Sequence, residues 1–237
     1  MDRRGIKVGE DYRRQAKSFK KSSDYVQASI YYEKALEIYM DHYGKNHLDV
    51  ANLHSDLASA LNKQSRYKEA LHHYQRALNI YLNLYGNNHP ILATAYYNLG
   101  SVYKSLGNDT EALENYEKSV KIDKAQFGED HPNVAQTYNN IGLVLNSQGK
   151  YNEAISYYKK TVDIYIKIYG QDHPCLASSY NNIGTACYRL KNYTEAAKNF
   201  QASLVIDIST HGNNHPYIAQ SYVQLGKAYG HLNDVQK

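Results

Sequence analysis

The sequence predicts an all-α protein, a solenoid of stacked antiparallel helical hairpins, and two observations support this fold class. The first is a period of 42 residues, which is kept by five glycines: Gly44, Gly86, Gly128, Gly170 and Gly212. Self-similarity at a period of 20 to 50 residues is the signature of stacked repeats. The second is that apolar residues inside one period fall at helical spacing in two separate stripes. Each repeat is therefore expected to be a pair of helices.

Residues 90–131 illustrate one repeat. A first stripe predicts a helix that begins near Pro90, since proline suits the first helical turn. Gly107 and Asn108 interrupt the pattern. A second stripe predicts a helix that ends at Gly128, because glycine readily adopts the left-handed conformation found at helix C-termini. The apolar or small residues are Ala93, Tyr96, Leu99, Gly100 and Tyr103 in the first helix, and Ala112, Tyr116, Ser119, Val120 and Ile122 in the second.

A histidine stands three positions after each of the periodic glycines. In the segment 169–174, YGQDHP, we expect Gly170 to end one hairpin, and Asp172 or His173 to cap the next first helix. Pro174 then occupies its first turn. Packed helices lie about 8–10 Å apart, so histidines of successive joints cannot share a zinc ion with ligands at about 2.1 Å. The recurring histidines are therefore predicted to be structural.

The repeat register predicts one solenoid over residues 6–237, after an N-terminal tail at 1–5. Its repeats are predicted at 6–47, 48–89, 90–131, 132–173 and 174–215, followed by a single terminal helix at 216–232. The terminal helix carries the stripe Ile218, Tyr222, Leu225 and Tyr229, and no second-helix stripe follows it. We therefore expect partial exposure of this stripe. The helix is either a cap or the edge of a fragment from a longer multidomain protein with a structural or oligomerising role.

The repeated residues resemble the tetratricopeptide repeat, whose pattern is a large residue, Leu-Gly, an aromatic residue, an alanine and a second aromatic residue. In residues 90–131 the match consists of Tyr96, Leu99, Gly100, Tyr103, Ala112 and Tyr116. The period of 42 residues exceeds the family's usual length of about 34. We assign the extra residues to a longer second helix and the loop after it. Repeats of this length resemble those of kinesin light chains and nephrocystin-like scaffold proteins.

The resemblance implies a right-handed superhelix that serves as a protein-interaction scaffold or adaptor, with the first helices lining a concave groove. Amides and hydroxyls predominate at the groove positions. An asparagine amide offers both donors and an acceptor to the backbone of an extended peptide. The predicted groove residues are Tyr97, Asn98, Gln136, Asn139, Asn140, Asn181, Asn182 and Arg189. The alternative is that these amides bond to their own loops or to the neighbouring helix.

The corresponding positions near the N-terminus are basic, at Arg13, Arg14, Lys17 and Lys20. They predict a groove end that binds an acidic stretch of the ligand, and the alternative is a solvated face. Residues 1–21 carry a net charge of +5, so the other 216 residues sum to −1 within a chain of net charge +4. This balance disfavours nucleic-acid partners, including the alternative of an RNA-binding helical repeat, because phosphate contacts require cations.

The remaining motifs predict no catalytic residues, no cofactor and no metal. A glycine-rich phosphate loop, a paired-carboxylate motif and a Cys–His pair are all missing outside the repeat register. No stretch approaches about 18 consecutive apolar residues, and the N-terminus lacks the apolar core of a signal peptide, so we expect a cytoplasmic chain without membrane contact. Cys175 and Cys187 would lie about 18 Å apart on one helix, too far for a disulfide, and are predicted to be free thiols.

Overall fold

A computed structural model describes residues 3–212 and 216–235 of the chain. All regular elements in these ranges are α-helices, which confirms the predicted fold class. They are α1 (Arg3–Lys21), α2 (Tyr25–Tyr43), α3 (Leu48–Lys63), α4 (Tyr67–Tyr85), α5 (Pro90–Ser105), α6 (Asp109–Phe127), α7 (Pro132–Ser147), α8 (Tyr151–Tyr169), α9 (Cys175–Arg189), α10 (Tyr193–His211) and α11 (Pro216–Val235). The chain divides into two compact units, residues 1–122 and 123–237.

From the second hairpin onward the second helix is longer than the first, whereas α1 and α2 of the first hairpin have 19 residues each. The helices α3, α5 and α7 have 16 residues each and α9 has 15, whereas α2, α4, α6, α8 and α10 have 19. This agrees with the assignment of extra residues to the second helix. The first and the last helix each extend further towards the chain terminus than predicted. The helix α1 begins at Arg3, inside the expected tail at 1–5, and α11 continues to Val235, beyond 232. Neither segment contains a proline that would stop a helix.

The turn inside each hairpin needs one residue in the left-handed region. Two hairpins place glycine there, with φ of 78° at Gly107 and 75° at Gly149. The same turn position holds Ser23, Ser65 and Lys191 elsewhere, with φ between 60° and 62°. Side chains other than glycine rarely adopt this conformation because Cβ crowds the carbonyl oxygen. Packing on both sides of the turn therefore holds these three residues in a strained backbone conformation.

In three of the five hairpins, the second helix packs an aromatic ring against a glycine of its own first helix. A Cβ added to Gly100 would lie 2.8 Å from Tyr116, one added to Gly142 would lie 2.5 Å from Tyr158, and one added to Gly184 would lie 2.7 Å from Phe200. The three rings are at most 2% exposed. The predicted pairing of the Leu-Gly or Ile-Gly segment with a following aromatic residue is therefore a close backbone-to-ring contact in these three hairpins, whereas the first two hairpins have Ala16 and Ala58 at the same repeat position.

The first helices bury two stripes instead of the single one predicted. Tyr96 is only half-buried, whereas Leu92 and Val102, which lie outside the predicted stripe, are fully buried. The cause is stacking: α5 packs on α4, the second helix of the preceding repeat, and also holds the ring of Tyr116 from its own hairpin. A helix enclosed on both sides loses the one-sided amphipathic pattern on which the sequence argument relied.

Candidate functional site

The periodic histidines are helix caps. The Nδ1 atoms of His47, His89, His131 and His173 accept a hydrogen bond from the backbone N–H two residues later, at 3.2–3.3 Å. Each ring also stacks on the aromatic residue four positions earlier, as Tyr169 and His173 do with ring centroids 4.3 Å apart. The structural role predicted for these four residues is confirmed. His215 lies outside the described residues.

The predicted groove residues of the second unit lie together on α7 and α9. We call them the amide face, which consists of Gln136, Asn139, Asn140, Asn181 and Asn182. Asn182 Nδ2 donates a hydrogen bond to Asn139 Oδ1 at 3.0 Å and so joins the first helices of two consecutive repeats. Asn140 Nδ2 donates to the backbone carbonyl of Gln136 at 3.2 Å. Part of the amide capacity is therefore used within the protein, as the alternative interpretation expected.

The amide face retains further hydrogen-bonding capacity. An asparagine side chain has two N–H donors and a carbonyl acceptor with two lone pairs, so the single bond between Asn139 and Asn182 uses only a part of what they offer. Asn139, Asn140, Asn181 and Asn182 are half-buried, and Gln136 is exposed. Arg189, which was also predicted to line the groove, lies exposed at the end of α9. This surface presents donors and acceptors to solvent without a strong charge.

A cleft of about 300 Å³ adjoins the amide face between α9, α10 and α11. We call it the α9–α11 cleft, and it is lined by Pro174, Ala177, Ser178, Asn181, Ser203, Asp207, His211, Gln220 and Ser221. Asp207 Oδ2 accepts long hydrogen bonds from the hydroxyls of Ser203, at 3.4 Å, and Ser221, at 3.5 Å. The carboxylate makes the cleft suited to a hydrogen-bond donor or a cation.

Asp207 is a residue that the sequence argument missed. It belongs to a second helix, whereas the groove was predicted from first helices alone. Its repeat position holds Tyr39, Tyr81, Asp123, Tyr165 and Asp207. In the first unit Tyr81 reaches across from α4 and donates its hydroxyl to Asn52 Oδ1 on α3 at 2.9 Å. The recurrence of tyrosine or aspartate at this position could have indicated, from sequence alone, that the position contacts the groove side of the first helix.

The first unit holds the other predicted groove residues, Tyr97 and Asn98 on α5. Both are half-buried. The Tyr97 ring lies 5.8 Å from the Tyr116 ring, centroid to centroid, in a tilted arrangement. Tyr97 is therefore partly engaged in packing its own hairpin, while Asn98 remains a polar position beside it.

The N-terminal cations face acidic partners from α3. Arg13 Nη1 lies 3.0 Å from Asp49 Oδ1, and Lys20 Nζ lies 3.5 Å from Asp56 Oδ1. Burial opposes the charge of Arg13, but its hydrogen bonds to Tyr39 and Asp49 outweigh burial and raise its pKa. The positive charge that was predicted to attract an acidic ligand is thus partly neutralised by two carboxylates, which lie seven residues apart on α3.

The other two cations of this set lie at the surface of α1. Arg14 pairs with Asp11 at 2.6 Å on the same helix, and both side chains are exposed. Lys17 is also exposed. Exposed pairs contribute little to stability because solvent screens them, so they are easily exchanged for another partner.

In the first unit the buried His54 pairs with the half-buried His73. His54 Nδ1 lies 2.9 Å from His73 Nδ1, so one of the two rings donates and the other accepts. The pKa of His54 is lowered to about 4 by burial and by the positive charges of His73, Arg76 and His72. Burial also lowers the pKa of His73. This pair is therefore neutral in the folded protein near pH 7.

Three findings concern metal binding, membrane spans and the cysteines. Within residues 3–212 and 216–235, no group of three or more His, Cys, Asp and Glu residues is placed to hold a metal ion. No helix in the described part of the chain is both long and apolar enough to span a membrane. The two cysteines are free, with Cys175 exposed and Cys187 buried, and burial raises the pKa of the Cys187 thiol.

Helical hairpins repeated at 42 residues, three of them with a ring packed on a glycine, define a helical-repeat protein. The tetratricopeptide repeat model matches residues 12–83, 49–125, 92–167, 133–204 and 175–237. The chain belongs to the tetratricopeptide repeat family. No curated protein matches its sequence.

Several solved structures share this fold at low sequence identity. BtubC (BKLC) from P. vanneervenii is 22% identical with a TM-score of 0.71, over 99% of this chain and 87% of that one. A putative kinesin light chain from Podosopora anserina is 18% identical with a TM-score of 0.74, over 87% of this chain and 98% of that one. Aspartyl phosphate phosphatase F from Bacillus subtilis is 16% identical with a TM-score of 0.78, over 97% of this chain and 59% of that one. The expected likeness to kinesin light chain repeats is confirmed.

Proposed function

We propose that this protein is a non-enzymatic scaffold that binds an extended peptide segment of a partner protein along the groove side of its first helices. Membership of the tetratricopeptide repeat family supports a role in protein interaction. The observation that carries the peptide-binding part is the amide face, where Asn139 and Asn182 are fixed to each other at 3.0 Å. A side chain that is already held in place loses less conformational entropy when a ligand binds.

The amides suit a peptide backbone better than a charged ligand. Backbone N–H and C=O groups alternate along an extended chain, and an asparagine can satisfy either kind. The adjoining α9–α11 cleft adds the Asp207 carboxylate, which favours a ligand side chain that donates hydrogen bonds. The same carboxylate repels phosphate, which counts against the RNA-binding alternative.

The basic residues of α1, in the first unit, are proposed to contact an acidic stretch of a ligand. Lys17 supplies an exposed charge, and Arg13 and Lys20 would exchange their contacts with Asp49 and Asp56 for those of the ligand. Interactions between solvent-exposed charges are largely screened beyond about 8 Å at physiological salt. Binding should therefore weaken as salt rises, and the variant Arg13→Glu/Lys17→Glu should show a smaller salt dependence. If the wild type and this variant showed the same salt dependence of binding, the proposed contact with an acidic stretch would be refuted.

The test of the groove starts from a displayed library of random 12-residue peptides selected on the full chain. Selected peptides are then titrated against the wild type and the variant Asn139→Leu/Asn182→Leu by isothermal titration calorimetry. We expect weaker binding by about 1–3 kcal/mol, since each lost hydrogen bond costs about 0.5–1.5 kcal/mol. The matched control is Asn152→Leu, which changes an exposed asparagine on the second helix α8. Equal affinities for all three proteins, with unchanged circular dichroism and melting temperature, would refute the groove proposal.

A further inference from the structure

The α9–α11 cleft lies where an aspartate replaces the tyrosine of other repeats. The position of Asp207 holds tyrosine in three of the other four repeats. One of these is Tyr81, which is 4% exposed. Its hydroxyl donates to Asn52 Oδ1 at 2.9 Å and also forms a hydrogen bond with the Ser55 side chain. In the first unit a tyrosine of the second helix α4 therefore fills the groove side of the first helix α3.

The residues that Tyr81 contacts have direct counterparts in the cleft. Asn52 corresponds to Ser178, and Ser55 corresponds to Asn181, three repeats later in each case. Both counterparts line the cleft. The cleft is thus the space that a tyrosine ring fills in the first unit, and a planar group of similar size fits into it.

The third wall of the cleft, α11, is packed onto the second unit. Ile218 and Leu225 are at most 7% exposed, and Ser221 between them lines the cleft. Tyr222 and Tyr229, the other members of the predicted stripe, are 55% and 49% exposed, so the stripe is partly exposed, as expected. Neither of these tyrosines lines the cleft. The cleft is therefore formed by the parts of α9, α10 and α11 that pack together within the second unit.

The hydroxyl groups in the cleft offer acceptors to a ligand. Ser203 Oγ donates to the backbone carbonyl of Ala177 at 2.9 Å, and Ser178 Oγ donates to that of Cys175 at 3.3 Å. A hydroxyl group has one proton and two lone pairs, so a hydroxyl that already donates its proton can only accept a further hydrogen bond. These two side chains therefore favour a ligand that brings hydrogen-bond donors.

The Asp207 carboxylate adds a negative charge to these acceptors. Its Oδ2 atom lies 3.4 Å from Ser203 Oγ and 3.5 Å from Ser221 Oγ, distances at which hydrogen bonds are weak. The described residues that line the cleft include no lysine and no arginine. Because a half-buried carboxylate has lost part of its hydration, it gains from a strong donor with a positive charge.

The guanidinium group of arginine meets these requirements better than the ammonium group of lysine. A guanidinium is planar, carries five N–H donors and can bond to both oxygens of a carboxylate at once. An ammonium group has three donors around a single point and no plane that matches the space of a ring. Shape, charge and the number of acceptors therefore all favour arginine.

We propose that the α9–α11 cleft binds the guanidinium group of an arginine side chain of the peptide ligand, with Asp207 as its ion-pair partner. The proposal rests on the proposed peptide binding at the amide face. Asn181 belongs to both surfaces, so a peptide backbone bound there brings one of its side chains to the cleft. Arginine is then the residue by which this chain selects among peptides.

The first experiment needs no peptide. N-acetyl-arginine methylamide is titrated into the full chain up to about 50 mM, since a single side chain is expected to bind in the millimolar range. The side-chain NH₂ signal of Asn181 is followed in ¹⁵N-resolved nuclear magnetic resonance spectra. We expect a saturating shift in the wild type and at least about tenfold weaker binding by Asp207→Asn, because hydrogen bonds between charged groups are the strong ones. The variant Asp207→Tyr refills the cleft and should abolish the shift.

Two controls separate this site from general attraction of a cation. N-acetyl-citrulline methylamide has nearly the same shape without the charge and should not bind. The matched chain variant is Asp163→Asn, which removes the charge of an exposed aspartate on α8 and should bind the arginine probe as the wild type does. Equal binding by the wild type and Asp207→Asn, or no shift in either protein, would overturn the inference.

The second experiment uses the peptides selected on the wild type. We expect them to share an arginine whose replacement by citrulline weakens binding to the wild type by at least about tenfold, but does not weaken binding to Asp207→Asn. Selected peptides that bind without such an arginine would refute the arginine site and leave the groove proposal in place. A library without any binding peptide, together with a saturating shift by the arginine probe, would refute the groove proposal and retain the arginine site.

Discussion

The ring of Tyr158 lies against the backbone of Gly142, so closely that a Cβ at residue 142 would stand 2.5 Å from Tyr158 Cε1. The substitution Gly142→Ala should destabilise the protein by about 1–3 kcal/mol, because overpacking a filled site forces side chains and backbone to shift. Urea unfolding monitored by circular dichroism measures the change.

The control for this prediction is Gly226→Ala, the same substitution at the equivalent position of α11. No atom lies within 4 Å of the added Cβ there, so only helix propensity changes, and a gain of up to about 1 kcal/mol is expected. Opposite signs for the two variants would establish the ring contact as the reason for glycine at residue 142. Equal effects would contradict it.

The strained turns predict stabilising substitutions. Ser65→Gly and Lys191→Gly relieve a left-handed backbone at φ of 60° and 62° and reproduce what Gly107 and Gly149 already provide. Each should raise the free energy of unfolding by about 0.5–1 kcal/mol, net of the flexibility that glycine adds to the unfolded chain. The reverse change, Gly107→Ser, should lower it. A loss of stability in both glycine variants would show that the turns are not strained.

The capping histidines combine a hydrogen bond with a ring contact, and two substitutions separate these. His131→Asn keeps a side-chain acceptor at the helix start but removes the stacking on Phe127, whose ring centroid lies 4.5 Å away. His131→Ala removes both. In thermal unfolding we expect His131→Ala to lower the free energy of unfolding by about 1 kcal/mol more than His131→Asn does, because an N-cap hydrogen bond usually contributes that amount. Equal melting temperatures for the two variants would show that the hydrogen bond contributes nothing to stability.

The buried histidine pair predicts a pH dependence of stability. The pKa of His54 in the folded protein is about 4, below its ordinary value of 6.5, so the unfolded chain takes up the proton first. Stability from this site is therefore complete above pH 6.5 and is lost as the pH falls towards 4. One unit of pKa corresponds to about 1.4 kcal/mol, and partial solvent access reduces the whole effect to about 1–3 kcal/mol.

The matched variant is His54→Tyr/His73→Asn, which copies Tyr96 and Asn115 from the corresponding positions of the next repeat. Its free energy of unfolding should fall less than that of the wild type between pH 7 and pH 4.5, as measured by urea titration. Parallel pH profiles for the two proteins would show that the histidine pair has no part in the acid sensitivity.

The sequence predicted local structure correctly at positions where the chemistry of a single residue type sets the backbone conformation. Gly170 and His173 mark a joint because left-handed backbone favours glycine and a free helix N–H needs an acceptor, and the structure has both features at that point. Burial was less predictable. Tyr96 matched the aromatic stripe but is half-buried, because the stacking of helices on both sides of α5 leaves its fully buried positions to smaller residues such as Leu92.

Contacts between helices were the least predictable part of the candidate site. The cations at Arg13 and Lys20 were identified, but their carboxylate partners lie 36 residues later on α3, where no local pattern connects them to α1. In the same way the bond between Asn182 and Asn139 spans 43 residues and depends on how two repeats stack. The amino-acid types were visible in the sequence, whereas their pairing follows from packing.

The groove proposal is tested most directly by side-chain amide signals in ¹⁵N-resolved nuclear magnetic resonance spectra. A selected peptide is titrated into the full chain, and the NH₂ signals of the asparagines are assigned by single substitutions. We expect the signals of Asn139, Asn140, Asn181 and Asn182 to shift together with saturating peptide while that of Asn152 on α8 stays in place. Shifts confined to Asn152 and other second-helix residues, with those of the amide face unchanged, would contradict the proposal.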